Sequence, residues 1–370
     1  MIIGVPKEIK DKENRVAITP AGVTAFTKNG HQVFVQKAAG IGSGIADQEY
    51  SDVGAIVLEE PAEIYEEADM IIKVKEPLPS EYSFIKEGQI VFTYFHFASS
   101  HELTQAMLDR KCISIAYETV ETDDGDLPLL APMSEVAGKT AGNLVAHYLS
   151  LPRGGRGVLL GGVPGVKPAK VVVVGGGTVG TNAAKVASGM GASVVIFDIN
   201  LKRLKYLDDI MPKNVVTLAS NPFSIEEELK NADALIGAVL IPGAPAPKVV
   251  TEEMVKKMPK RSVILDVAID QGGCIETSRV TSLSEPTYVL HDVLHYCVPN
   301  IPGAFPRTST FALTNATMSY ALEIANKGYK KAIISNPAIA KGLNTIDGRV
   351  TYKPVADAFG YPYSSIEELN

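Results

Sequence analysis

Two stretches carry residue types at spacings suited to chemistry. In "TYFHFASS", residues 93–100, His96 stands between Phe95 and Phe97, where an apolar run gives way to small polar residues. A histidine so placed is either a core residue with its ring nitrogens satisfied by backbone, or a proton-transfer group at the carboxyl end of a strand. That edge is where open α/β sheets bind ligands. Imidazole, with an ordinary pKa of about 6.5, gains and loses a proton near neutrality and suits the second task. In "VVVVGGGTVGTNAAKVASGMGASVVIFD", residues 171–198, Gly175, Gly177 and Gly180 fit the pattern G-x-G-x-x-G between a valine run and a helix of small residues. The glycines allow a sharp turn, let a pyrophosphate touch bare backbone and let the helix pack close to the strand. The helix start offers free N–H groups and positive dipole to the phosphates. Asp198, 23 residues beyond Gly175, closes the next strand and is placed to accept the adenosine ribose hydroxyls. Its charge repels the extra phosphate of NADP and so favours NAD, although Lys202 and Arg203 follow closely.

Other candidates are weaker. "LLGGVPGV", residues 159–166, is rich in glycine but opens no helix, and reads as a hairpin or flap. In "HDVLH", His291 and His295 have the spacing of one helical turn, which could ligate a metal. No third ligand or HExxH pattern accompanies them, so no metal is expected. Glu323 and Lys327 have the spacing of an ordinary helical ion pair.

These residues need a scaffold, and the chain supplies an alternating one. "IIGV", "HQVFVQ", "AIVL", "MIIKV", "QIVFTYF" and "CISIAY" read as strands, with helical spacing in "PAGVTAFTKNG", "PAEIYEEAD" and "SHELTQAMLDRK" between them. Alternation of this kind implies a mainly parallel sheet covered by helices. Longer helices are expected over 134–151, with Ser134 as cap, and over 309–328. They bracket a second alternating series that starts at Val171. The expected fold is α/β: two doubly wound, Rossmann-like parallel-sheet domains joined by long helices. A nucleotide domain over 134–306 is inserted into a discontinuous domain made of 1–133 and 307–370.

At 370 residues the chain is long for a single core, which agrees with two domains. Hydrophobic residues make up 46% and charged ones 21%, a globular rather than a disordered balance. The net charge of −7 includes no basic block, so nucleic acid and anionic membrane surfaces are not expected partners. No window approaches 18 uninterrupted apolar residues, and the charged start "MIIGVPKEIKDKENR" does not read as an export signal. Cys112, Cys274 and Cys297 are far apart and odd in number, which favours a reducing compartment and, with it, the cytoplasm.

The segment "GVPKEIKDKENRVAITP" resembles the opening signature of the alanine dehydrogenase family, shared with the NAD-binding subunit of proton-translocating transhydrogenase. The glycine-rich stretch resembles the second signature of that group. "KVKEP", "TYFHFA", "APMSEVAGK", "LDVAIDQGG" and "VPNIPGAFPRTST" are similar to their counterparts, so the likeness runs nearly end to end. The resemblance implies reversible NAD-dependent oxidative deamination of L-alanine to pyruvate and ammonia, by a homohexamer. It assigns Arg15 and Lys75 to the carboxylate and keto oxygen of the substrate, which on composition alone would be solvated surface charges. It makes His96 and Asp270 the proton-handling pair, Asp270 closing the strand-like run "SVILDVAI". Cofactor roles follow for Ser134, Thr178, Val179, Asp198, Arg203, Ser220, Val239, Leu240, Val267, Ala268, Ile269, Asp270, Arg279, Val298, Pro299, Asn300 and Ile301. The alternatives are the transhydrogenase subunit, which should lack the substrate residues, and a related saccharopine-linked lysine dehydrogenase.

Overall fold

The computed structural model describes residues 1–239 and 246–366. In chain order the strands are β1 (Ile2–Val5), β2 (Gln32–Gln36), β3 (Ile56–Leu58), β4 (Met70–Ile72) and β5 (Ile90–Thr93). Next come β6 (Ile113–Ala116), β7 (Lys170–Val174), β8 (Ser193–Asp198), β9 (Val215–Ala219) and β10 (Ala234–Gly237). The last are β11 (Val263–Asp266), β12 (Thr287–Leu290), β13 (Val293–Tyr296), β14 (Leu343–Ile346) and β15 (Arg349–Val350). The chain divides into two compact units, one made of 1–133 with 303–370 and the other of 134–302.

The first unit holds, among the described residues, an eight-stranded sheet in the order β15-β14-β6-β5-β4-β1-β2-β3. Strands β1 to β6 run parallel. The chain passes from β1 outward to β2 and β3, then returns to lay β4 on the other side of β1. The β1/β4 boundary is therefore a topological switch point, where loops diverge and leave a crevice. Helix starts obey local chemistry: Pro61 opens one helix where a missing N–H costs nothing, and the Ser100 side chain accepts the Leu103 N–H at 3.2 Å to cap another. Behind the sheet, Phe34, Ile71, Val91, Phe95, Phe97, Leu103 and Met107 join one buried cluster.

The second unit holds a seven-stranded sheet among its described residues, in the order β12-β13-β11-β10-β7-β8-β9, parallel except for β12. Val171 to Val174 are buried, as a central parallel strand covered on both faces requires. This sheet has its own switch point, between β7 and β10. Both sheets are doubly wound and mainly parallel, as the alternation in the sequence implies.

Several local expectations are corrected. The first long helix runs Ala131–Tyr148, not 134–151, so Ser134 lies inside it and does not cap it. Pro132, tolerated in a first turn, lets the helix begin earlier. The second runs Pro306–Lys327 for the same reason, and its Lys327 Nζ meets Glu323 at 2.7 Å. "HDVLH" is no helix: His291 and Asp292 have φ of 54° and 58° and form the tight turn of the β12/β13 hairpin. His295 is wholly buried, with Nε2 2.9 Å from the Thr277 hydroxyl and Nδ1 3.0 Å from the Val293 carbonyl oxygen. The described residues contain no acidic, histidine or cysteine group arranged to hold a metal. The run "SVILDVAI" is not one strand either. β11 stops at Asp266, and Asp270 belongs to the 3-10 turn Val267–Gln271. By contrast, 159–166 does form the expected hairpin: the main chains of Val163 and Val166 bond to each other in both directions.

Candidate functional site

In the first unit, β6, β5, β4 and β1 lie side by side. The loops that leave their carboxyl ends carry Glu118, His96, Lys75 and Arg15 in that order. Strand neighbourhood thus collects residues as far apart in the chain as Arg15 and Glu118. The switch point falls between the last two.

Arg15 is 2% exposed and gripped by Glu13 through two bonds, Nε to Oε1 at 2.7 Å and Nη2 to Oε2 at 2.5 Å. Its Nη1 reaches the Met133 sulfur at 3.2 Å. Burial opposes the guanidinium charge, but the bond to Glu13 and the charge of Glu13 outweigh it and raise its pKa. The neighbouring cation is held differently. The Lys75 backbone is fixed from both sides: its N–H donates to Glu8 Oε1 at 3.2 Å, and its carbonyl accepts from the Thr93 hydroxyl at 2.9 Å. Its ammonium makes no hydrogen bond or ion pair among the described residues. Burial, then the nearby Arg15 charge, push the Lys75 pKa below the ordinary lysine range.

Glu8 is itself part of a buried network. Its Oε1 accepts the Val74 N–H at 2.6 Å, and its Oε2 lies 3.4 Å from Lys73 Nζ. Lys73 also meets Glu81 at 2.8 Å, and the Tyr65 hydroxyl donates to the same Glu81 oxygen at 2.9 Å. Burial raises the Glu8 pKa against the opposing pull of Lys73.

His96 is exposed and takes the left-handed conformation, with φ 53° and ψ 41°. This rules out the core-histidine alternative, and the ring is not enclosed by its aromatic neighbours within this unit. Phe95 and Phe97 are buried and stack on each other at 4.4 Å. The His96 ring instead lies parallel to that of Tyr94, with centroids 6.0 Å apart.

The second unit repeats the plan at the carboxyl ends of six adjacent strands. Ser220 follows β9, and its N–H donates to the Asp198 carbonyl at 3.0 Å. Asp198 closes β8. Gly175 to Gly180 follow β7, Val239 follows β10, Val267 to Asp270 follow β11, and Val298 to Ile301 follow β13. Leu240 lies outside the described residues. The three motif glycines each meet a different constraint. Gly175 has φ 103°, and a Cβ there would lie 2.5 Å from the Ala238 carbonyl oxygen. A Cβ on Gly180 would lie 1.8 Å from the Gly175 carbonyl oxygen. A Cβ on Gly177 would meet no protein atom within 4 Å, and its φ is an ordinary −66°. Turn and packing explain the outer two glycines. The middle one leaves bare backbone facing open space at the start of the helix Thr178–Gly189, which is what an approaching pyrophosphate requires.

Asp198 is half-buried; Oδ2 accepts the Gly176 N–H at 2.9 Å and Oδ1 the Asn200 N–H at 2.8 Å. Arg203 is committed to the same turn: Nε donates to the Gly176 carbonyl and Nη2 to the Thr181 hydroxyl, at 2.6 and 2.7 Å. It also lines a hollow of about 410 Å³ with Lys139, Thr178, Asn182 and Tyr206. Thr178 and Val179 form the first helical turn. Asp270 is exposed, and its carboxylate accepts the N–H of Asn300, a residue at φ 53°. The turn that bears Asp270 is pinned by the buried Asp266, which accepts N–H bonds from Ala268, Cys274 and Ile275 at 3.1, 2.9 and 3.1 Å. Burial raises the Asp266 pKa above the usual carboxylate range. Ala268, Ile269, Val298 and Ile301 have buried side chains, so their backbone is what they can offer a ligand. Pro299 is half-buried. Arg279 is exposed and lies 4.3 Å over the Tyr288 ring, away from the strand ends in sequence. Ser134 is half-buried in its helix.

The braces Glu8, Glu13, Glu118 and Asp266 escaped the sequence reading. Glu8 and Glu13 stand inside a quoted signature, and Glu118 and Asp266 close strand runs as Asp198 does, so an acid after a β run was the available signal. The hairpin β14/β15 was also missed, although "DG" (Asp347 and Gly348, φ 49° and 74°) between apolar runs is a strong hairpin signal.

Comparison with known proteins agrees with this architecture. The N-terminal domain model of alanine dehydrogenase/PNT matches residues 4–137, and the C-terminal domain model matches residues 141–353. A protein of Methanococcus maripaludis named alanine dehydrogenase is 61% identical over 369 residues, covering 100% of this chain and 99% of that one. A solved structure titled L-alanine dehydrogenase superposes with a TM-score of 0.94 at 49% identity, over 97% of this chain and 99% of the other. A transhydrogenase structure from Sinorhizobium meliloti shares the fold, with a TM-score of 0.80 at 24% identity over 95% of this chain and 99% of that chain. With both domain models matched and full-length relatives this similar, the chain belongs to the alanine dehydrogenase/PNT family.

Proposed function

We propose that this chain is an alanine dehydrogenase that converts L-alanine, water and NAD reversibly to pyruvate, ammonia and NADH. The observation that carries the reading is the pair of cations at the β1/β4 switch point. Lys75 is a desolvated ammonium with no partner among the described residues, beside a guanidinium that Glu13 keeps charged. Such a pair suits a small keto acid, whose carboxylate and carbonyl oxygen accept charge-assisted hydrogen bonds. A subunit that only relays hydride between nicotinamides has no use for it.

Bound NAD supplies the hydride acceptor, and its pyrophosphate would lie against the bare backbone at Gly177. Arg15 and Lys75 hold and orient the substrate. His96 takes and returns protons as water adds to the substrate imine and ammonia leaves. The carboxylate of Asp270 balances positive charge on the nitrogen and takes part in moving the protons of ammonia. The first unit, 1–133 with the C-terminal segment, is the substrate domain, and the second is the NAD domain. The resemblance supports a homohexamer, which sedimentation would read as six times the chain mass. Three buried free thiols support a reducing compartment, the cytoplasm. No described helix is long and apolar enough to cross a membrane. The test is NADH formation with L-alanine, L-serine, glycine and L-lysine. Strong turnover of L-alanine is expected, and turnover of L-lysine alone would overturn the reading.

A further inference from the structure

His96 occupies the left-handed conformation, φ 53° and ψ 41°, where its Cβ crowds the following carbonyl oxygen. Neither glycine nor asparagine chemistry favours it here, so something outside the residue must hold it. The carboxylate of Glu118 does so. It accepts the Phe95 N–H at 3.2 Å with Oε1 and 3.3 Å with Oε2, and the His96 N–H at 2.5 Å with Oε1. Glu118 lies in the turn Tyr117–Thr119 directly after β6, and the parallel pairing of Thr93 with Ala116 brings that turn beside the end of β5. The carboxylate has no ion-pair partner among the described residues. Two converging N–H donors are what it answers: Oε1 accepts both, Oε2 adds a longer contact to Phe95, and a carboxylate carries no hydrogen to oppose either.

We propose that Glu118 is the positioning residue for His96: it fixes the left-handed turn that turns the imidazole away from the buried Phe95–Phe97 pair and toward solvent. The proposal rests on the reading of His96 as the proton-transfer group. A shortened or neutral side chain at 118 releases one or both amides. The turn then relaxes toward extended backbone, and the ring loses its aim. Misplacement of a catalytic group by about 1 Å costs on the order of 100-fold in rate, while substrate and cofactor binding, which use other groups, stay as they are.

The experiment uses the full-length protein with Glu118→Ala and Glu118→Gln. Melting temperature, NADH dissociation constant, kcat with L-alanine and with pyruvate, and amide hydrogen exchange at Phe95 and His96 are measured on each. Glu118→Ala is expected to lower kcat about 10- to 100-fold, with NADH affinity within about twofold of the parent and faster exchange at both amides. Glu118→Gln keeps an oxygen for the Oε1 place, but it loses the carboxylate charge and sets its NH₂ against the Phe95 amide where Oε2 stood, so its kcat falls between parent and Ala. Should Glu118→Ala not fold, Glu118→Gln decides alone by the same readings. Parent-level kcat per folded molecule, or unchanged exchange at both amides, overturns the proposal. A parent that does not oxidise L-alanine overturns the functional reading instead, and the exchange rates still judge the brace.

Discussion

The two units share a fold but prepare their strand ends by different means. In the first, the buried charged side chains are Glu8, Glu13, Arg15, Lys73 and Glu81, so cations and carboxylates are packed together beneath the loops. In the second, Asp266 is the buried carboxylate, and no lysine or arginine is buried among the described residues. Its central strands are aliphatic, and its loops are shaped by glycines and by backbone that touches itself. On the assignment proposed above, the difference follows from what each edge has to recognise. A three-carbon acid offers little surface, so fixed charge must supply its affinity and orientation. A dinucleotide offers a long backbone, and a helix start with free N–H groups at close approach is enough to seat it. Charge placed in a fold must be braced, and in the first unit Glu13 braces Arg15 while Glu8 braces Lys73 and the Lys75 backbone.

The largest expected effect separates the two sides by activity alone. His96→Gln keeps approximate size and some hydrogen bonding but cannot cycle a proton, so kcat/KM should fall roughly 10²- to 10⁴-fold. Folding and NADH affinity should hold, because the residue is exposed and the nucleotide loops belong to the other unit. A fully active variant would remove His96 from the chemistry and leave Asp270 to handle the protons alone.

What the sequence disclosed follows the same division. The nucleotide side is written in local pattern: a valine strand, three spaced glycines, a helix and a terminal acid, all within thirty residues. Periodicity also disclosed both parallel sheets, because alternating strands and helices leave few arrangements open. The substrate side is not written locally. Arg15, Lys75, His96 and Glu118 meet through strand order, which no window contains, and only family resemblance joined the first three. Glu118 went unseen because its partners are backbone N–H groups, which have no letter in the sequence. Asp270 was misplaced onto a strand because "VAI" continues the apolar run, whereas buried Asp266 caps the strand and starts a 3-10 turn.

Lys73→Met tests whether the buried charges of the first unit are a matched set. It strands Glu8 and Glu81 without their cation in the interior, and removing one partner of a buried pair costs about 3–5 kcal/mol. Calorimetry should show a lower melting temperature, restored in part by adding Glu81→Gln. Because Glu8 also accepts the Val74 and Lys75 amides, turnover should suffer along with stability. A melting temperature equal to the parent's would mean that the network is dispensable.

The second unit should instead reveal its burial through a neutral group. Burial holds the His295 pKa down at about 4, with the His291 and Arg279 charges adding to it against the Val293 carbonyl, which raises it. Since the folded value lies below the ordinary 6.5, the unfolded chain takes up a proton that the folded chain refuses. The contribution is complete above pH 6.5 and is lost as pH falls from there toward 4, a total of about 3 kcal/mol. Buried Asp266 and Glu8, with raised pKa values, slope the other way as they protonate, so the parent must be compared with His295→Gln. Thermal unfolding between pH 7 and pH 4.5 should fall more steeply in the parent than in the variant. Parallel curves would show that the ring does not titrate there.

The smallest effect is the most selective one, because it asks whether Asp198 acts as a charge or as a brace. Its Oδ2 holds the Gly176 N–H and its Oδ1 the Asn200 N–H, so removing the side chain loosens the glycine turn as well as deleting the acid. Asp198→Ala should therefore weaken both cofactors, by about tenfold for NAD if one hydrogen bond to a charged group of about 1.5 kcal/mol is lost. Asp198→Asn keeps one oxygen for Gly176 and removes the charge that repels a ribose phosphate. In that variant kcat/KM with NAD should drop only a few-fold while kcat/KM with NADP rises. Arg203 will contribute little to that gain while it stays bonded to the Gly176 carbonyl and Thr181. Lys202, exposed at the start of the next helix, is the cation free to move toward the phosphate, so Asp198→Asn with Lys202→Ala should lose part of the gain. If Asp198→Asn and Asp198→Ala leave the NAD to NADP ratio where the parent has it, the acid serves the turn alone. Cofactor choice would then lie in backbone shape, and the contrast between a charged substrate edge and a shaped nucleotide edge would be sharper than drawn above.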